Sequence, residues 1–301
     1  MKLPNYMIGL LALCLQTSCN SDNNMIGGQT EPEAEVEAEF VSHLKQYAGS
    51  SSSLLPQGIS VGIYAAPYNQ MPSASASDHS NIRYVSTPSG NLTSTGRLKL
   101  QEGEDYTFYA YAPYKTLTPV NSENIPFVHG EDVLLCMENP SLQKVSYDNR
   151  SVSFNFAHLT PQIQFVVKVS ENAGIGSLQS TSVLRASGFL PEAQLNLNTG
   201  KLTSVGEPSE KTDVTVAATP DEKGVYHLSS DPVCFFVNPN EPMNIHLRIT
   251  HEGVTHTGDI ATLFVPGESS VYTVWLNSQP ELEITTHITD WINQYESIDI
   301  N

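Results

Sequence analysis

The segment PQIQFVVKV, residues 161–169, decides the fold. Its Ile163, Phe165, Val167 and Val169 fall on one side of an extended chain, and Gln162, Gln164, Val166 and Lys168 fall on the other. Successive side chains of a β-strand point to opposite faces, so the first set reads as a core face and the second as an outer one. Short runs of the same kind, rich in Val, Ile, Phe, Tyr and Thr and bounded by Gly, Pro, Asn and Asp, recur on both sides. Upstream they predict strands near 36–41, 59–65, 82–87, 97–100, 106–112, 133–137 and 152–157. Downstream they predict strands near 181–187, 194–198, 226–228, 233–237, 243–250, 254–262, 271–276 and 281–289. Asp148-Asn149, Asn198-Thr199-Gly200, Glu252-Gly253 and Pro266-Gly267 mark turns between them. No window sustains a 3.6-residue period with caps, so helix is expected to be scarce, with one turn at Leu44–Tyr47 at most.

This pattern predicts an all-β chain of two β-sandwiches in tandem, 36–148 and 149–301. The length of 301 residues accommodates two domains. Thirteen Tyr, ten Phe, 19 Gly and 19 Pro fit strands and tight turns. A hydrophobic content of 39% with only 15% charged residues is not the composition of a disordered chain. Fourteen Lys+Arg against 32 Asp+Glu give a charge of −18. The basic residues are scattered, with Arg97/Lys99 the densest pair. No basic stripe exists to neutralise phosphates, which argues against nucleic acid and against an anionic membrane surface as partners.

At the N-terminus, Lys2 precedes the apolar run MIGLLALCL, residues 7–15. Such a run suits an export signal and is too short to span a bilayer, which needs roughly 20 residues. Residues 1–18 are therefore read as a signal peptide. Cys14 would truncate the apolar run, whereas Cys19 follows the small residues Thr17-Ser18. LQTSC is similar to a bacterial lipoprotein lipobox, with Gln16 where Leu is usual, and it marks Cys19 as the lipidation site. Residues 19–35 are read as an acidic tether, and loss of residues 1–18 with Lys2 leaves an expected mature charge of −19. Glu31, Glu33, Glu35, Glu37 and Glu39 alternate, but they have no His or Cys nearby and read as a solvated strand edge or linker rather than a metal comb.

Motifs for chemistry are missing. His246, His251 and His256 lie five residues apart, and Thr255 stands where a zincin pattern needs His. They are expected on the solvent side of a hairpin turning at Glu252-Gly253. No nucleophile elbow, phosphate loop or dinucleotide fingerprint occurs. Cys136 in VLLCM and Cys234 in VCFFV read as buried strand residues, and nothing in the sequence brings them together as a pair. No catalytic residue, cofactor or metal is expected. Tyr106, Tyr109, Tyr111 and Tyr114 in DYTFYAYAPY, residues 105–114, form either a core face of a central strand or a platform for stacking sugars.

Taken together, several segments resemble the fimbrillin-family lipoproteins of type V pili. They are the start ending at Cys19, ISVGIYAAPY (59–68), DYTFYAYAPY (105–114), the stretch 132–169 with its F-x-H turn, and the ending 264–292 closing on Trp291. The resemblance implies two transthyretin-like β-sandwiches, no catalysis and outer-membrane attachment through lipid. It further implies that a protease trims the first strand and that a strand from a neighbouring pilus subunit fills the groove. In that family the cut follows an Arg after the first strand. Here Lys45 is the only basic residue between Cys19 and Arg83 and is the candidate processing site. Stalk, tip and anchor roles stay open, and so does the adhesion target. A surface lipoprotein that binds glycan through the Tyr-rich strand is the alternative.

Overall fold

The strand at residues 162–169 forms, with Ile163, Phe165 and Val167 in the core and Lys168 exposed as the alternation predicts; Gln162, expected outside, is buried, and Val169, expected in the core, is only partly buried. The computed structural model describes residues 34–45, 52–72, 77–171, 173–289 and 291. The expected signal peptide and Cys19 lie outside them. The chain is all-β, and among the described residues the only helical element is a 3-10 turn at Glu210–Thr212.

The first part of the chain supplies β1 (Glu35–Glu37), β2 (Glu39–Lys45), β3 (Ser52–Leu54), β4 (Ser60–Pro67), β5 (Ile82–Ser86), β6 (Asn91–Thr93), β7 (Lys99–Gln101) and β8 (Tyr106–Ala112), followed by β9 (Ile125–Val128), β10 (Leu134–Cys136), β11 (Ser141–Leu142) and β12 (Ser151–His158). Strands β1 and β7 pair with each other as a separate two-stranded sheet, β9 pairs with a later strand, and the other nine make the first sheet. Strands β12, β2, β6, β5, β4 and β8 lie side by side, and β10 pairs with both β12 and β8. The hydrogen-bonded path thus returns on itself around a core of Phe40, Ile63, Phe108, Phe154 and Phe156. Closure of this kind removes the open edges that an ordinary sheet exposes. The first sheet runs past the expected division at 148/149, because β12 hydrogen-bonds to β2 and β10.

The remaining strands are β13 (Gln162–Val169), β14 (Val183–Ser187), β15 (Glu192–Asn196), β16 (Lys201–Val205), β17 (Val214–Ala217), β18 (Thr219–Pro220), β19 (Tyr226–Ser229) and β20 (Val233–Cys234), then β21 (Met243–His251), β22 (Val254–Thr262), β23 (Ser269–Leu276) and β24 (Glu283–Thr289). One sheet has the order β18-β19-β13-β23-β24 with β20 beside β13, and a second has the order β17-β14-β21-β22. Phe165, Phe189, Phe235, Leu247 and Val274 belong to their shared core. A third core of Tyr64, Tyr111, Phe127, Leu195 and Phe236 draws on both halves of the chain, where β9 pairs with β15.

Three expectations are corrected here. The strand expected at 36–41 is two strands, broken at Ala38, where the chain leaves its pairing with β7 and takes up a parallel pairing with β12. Leu44 and Lys45 close β2 as strand instead of opening a helical turn, because Phe40, Ser42 and Leu44 continue the inward alternation. The expected tether also ends early, since Glu35 already pairs with Gln101.

Candidate functional site

The first strands meet the rest of the fold through two sets of contacts. Val36, Ala38, Phe40, Ser42 and Leu44 all point inward and are buried. Phe40 stacks on Phe154 at 5.4 Å between ring centroids and meets Tyr84 and Phe108 edge-on at 5.1 and 5.7 Å. Such aromatic contacts add to the area that Phe40 removes from water. Ser42 is polar yet fully buried, and its hydroxyl donates to the Gly90 carbonyl at 2.8 Å, which satisfies it. Along its backbone, β2 pairs in parallel with β12 over six residues and, on its other edge, with β6 and then β3. It is therefore an interior strand contributed by the first described residues of the chain.

The outward side of the same strands carries charge. Glu35 meets Lys99 at 3.0 Å, Glu37 meets Arg97 at 2.5 Å and Glu39 meets Arg150 at 2.6 Å. The hydrogen bond from Arg97 holds the Glu37 carboxyl below the usual glutamate range. Bonds to Glu37 and Glu35 raise Arg97 and Lys99 in turn. Of the alternate glutamates, Glu31 and Glu33 lie outside the described residues, while Glu35, Glu37 and Glu39 reach solvent as expected and each also has a basic partner, with Arg97 and Lys99, the densest basic pair, among those partners. Sequence spacing alone does not reveal this, because Arg97 and Lys99 reach Glu37 and Glu35 only when β1 pairs with β7, and the still more distant Arg150 reaches Glu39 only when β2 pairs with β12.

Lys45, the candidate processing residue, is the last residue of β2, opposite Ser52 of β3. Its side chain is exposed and lies 4.0 Å from Glu138. The segment 46–51 lies outside the described residues, as does Cys19.

Other candidates resolve differently. Tyr109 and Tyr111 are buried, their hydroxyls donating to Gln70 O and Asn81 Oδ1 at 2.8 Å each. A strand packed on both faces does not present them to a sugar, and of the two readings left open for this run the core strand is the one its burial supports. The hairpin at Glu252-Gly253 exists, with both residues at positive φ. Only His246 is on its solvent side, bonded to Asp259. His251 and His256 are buried, bonded to Ser182 and Gly176 and to the Gln279 carbonyl respectively. His251 continues the core alternation of Ile245, Leu247 and Ile249 on β21, His256 lies opposite Ile249 on β22, and residue type hid this. Among the described residues no group of three or more His, Cys, Asp and Glu side chains could hold a metal ion. Cys136 and Cys234 are buried free thiols, and burial pushes Cys136 up to about 11 and Cys234 well above its ordinary value. Thiols so disposed are poor nucleophiles.

A closed all-β scaffold with an interior strand supplied from near its N-terminus is the class of protein defined by this geometry. The sequence pattern of the fimbrillin-like family matches residues 53–291, and the chain belongs to that family. Solved structures share the fold. A protein from Bacteroides ovatus provisionally named a cell adhesion protein superposes with a TM-score of 0.62 at 17% identity, covering 87% of this chain and 99% of its own. One of the same description from Bacteroides uniformis gives 0.59 at 17% identity, with coverage of 86% and 99%. A Bacteroides thetaiotaomicron structure provisionally described as polysaccharide binding gives 0.52 at 11%, with coverage of 86% and 99%. No curated protein sequence matches the chain.

Proposed function

We propose that this protein is a structural subunit or an accessory or anchor component of surface fimbriae, without catalytic activity. On this reading it is exported as a lipoprotein, loses residues 1–18, carries lipid on Cys19 and is held at the outer membrane. It joins other pilus subunits by β-strand augmentation. The two halves, divided between His158 and Gln162, correspond to two transthyretin-like sandwiches.

The observation that carries this reading is the place of β2. A single strand near the chain start fills an interior position of the first sheet and inserts Phe40 among Tyr84, Phe108 and Phe154, and an exposed lysine is its last residue. Loss of such a strand would leave a row of unpaired N–H and C=O groups beside apolar pockets, which another extended segment can satisfy. A head-to-tail contact of this type does not close on itself and grows a fibre.

The test is controlled cleavage. The purified chain is treated with a lysine-specific protease, the cut after Lys45 is confirmed by mass spectrometry, and the products are examined by size exclusion and electron microscopy. Filaments or ordered oligomers are expected from the cut protein and not from Lys45→Gln under the same treatment. Cleavage after Lys45 with neither strand loss nor association removes the polymerising role and leaves the anchor or terminal role.

A further inference from the structure

Resting on the strand-exchange reading above, we propose that Lys99, Arg97 and Arg150 form a basic ladder that selects the partner strand. The strand it selects is an extended segment of another subunit with glutamates at three alternate outward positions and small or apolar residues between them.

The chain's own first strands show the match. Glu35, Glu37 and Glu39 each have one basic partner, at 3.0, 2.5 and 2.6 Å, while Val36, Ala38 and Phe40 point inward between them. The ladder reaches the strand from two sides. Lys99 lies on β7 with Arg97 just before it, and Arg150 stands at the entry to β12. Fourteen basic residues are spread over 301 positions, so three gathered along one strand depart from the overall −18 character of the molecule. At the other end the charge order inverts, with Lys45 facing Glu138. The binding position is thus basic where the strand enters and acidic where it leaves, an order that an incoming strand matches in one direction only.

Exposed ion pairs contribute little to stability individually, so their main effect here is on register and direction. A slip of one residue would turn the glutamates inward and the apolar residues outward. A slip of two would keep the faces but leave one end of the ladder without its carboxylate. The site is also open to approach. A surface depression of roughly 430 Å³ beside Phe40 is lined by Tyr84, Leu92, Arg97 and Arg150. On that flank β6 holds β2 through only two paired positions, Phe40 with Leu92 and Val41 with Asn91.

The experiment uses the full chain cut after Lys45 and fluorescent peptides offered in exchange for the resident strand. The probes are residues 34–45, the same peptide with Glu35, Glu37 and Glu39 changed to Gln, and a scrambled peptide of the same composition. The wild-type peptide is expected to incorporate about tenfold better than the Gln peptide at low salt, and the difference is expected to shrink in 1 M salt as screening shortens the range of the charges. A second arm keeps the inward face intact: in the Arg97→Glu/Lys99→Glu chain, a peptide carrying Lys at 35 and 37 is expected to outcompete the wild-type peptide. Equal incorporation of the wild-type and Gln peptides, with the scrambled peptide excluded, overturns the ladder and leaves strand exchange standing. No incorporation of any peptide overturns both.

Discussion

Gly62 lies in the centre of β4, and a methyl group built on its Cα would overlap the Tyr111 ring and come within 2.9 Å of Asn81 Oδ1. Those atoms are backed on all sides. Tyr111 is fully buried, donates to Asn81 and accepts from the Lys115 N–H at 3.1 Å, and burial pushes its phenol up. Gly62→Ala is therefore expected to cost about 1–3 kcal/mol through overpacking, read as a lower urea midpoint with an unchanged slope. Tyr111→Phe leaves the Lys115 amide without its acceptor and is expected to cost about 1–3 kcal/mol in the same measurement. The tyrosine-rich run 105–114 could be read as a strand from its residue types. Its degree of burial could not, because a strand covered on both faces and a half-exposed aromatic strand have the same local composition. What covers Tyr109 and Tyr111 is the third core, assembled from residues up to Phe236.

At the scale of an element, β2 shows where alternation succeeds as a guide and where it stops. The shared face of Val36, Ala38 and Phe40 follows directly from the sequence. Its continuation through Lys45 is hidden, because the next inward residue is Ser42, whose polarity is neutralised by a bond to a carbonyl far along the chain. Phe40→Ala is expected to destabilise the chain by about 3–5 kcal/mol, since the surrounding aromatic rings cannot close over the space left behind. Acid should loosen the same element. Glu37 has a folded pKa below its ordinary 4.5, so its contribution is complete above that value and is lost as pH falls through the lowered one. In the chain cut after Lys45, release of residues 34–45 is expected to rise as pH falls below the ordinary glutamate value of 4.5. Arg97→Ala should flatten that profile near Glu37 by removing the bond that lowers it.

For the whole molecule, the β class was legible and the closure of the first sheet was not. Closure depends on β10, three residues long, whose two partners β8 and β12 come from either side of it in the chain. Short strands such as β6, β9 and β16 were unreadable for a related reason: they hold their conformation through partners and not through their own composition. Attachment to a membrane belongs to this scale as well. Among the described residues no helix is long and apolar enough to cross a bilayer, and the net charge of −18 gives an anionic surface no reason to hold the chain. On the proposed reading, retention rests on acyl chains carried by Cys19, each contributing about 0.8 kcal/mol per buried CH₂, and more than one chain makes release negligible. Cys19→Ser is expected to move the protein wholly from the membrane fraction to the soluble or secreted fraction, whereas Cys14→Ser should leave it in place. Partial retention of the Cys19→Ser chain would assign part of the attachment to another surface, and full retention would mean that Cys19 carries no anchor.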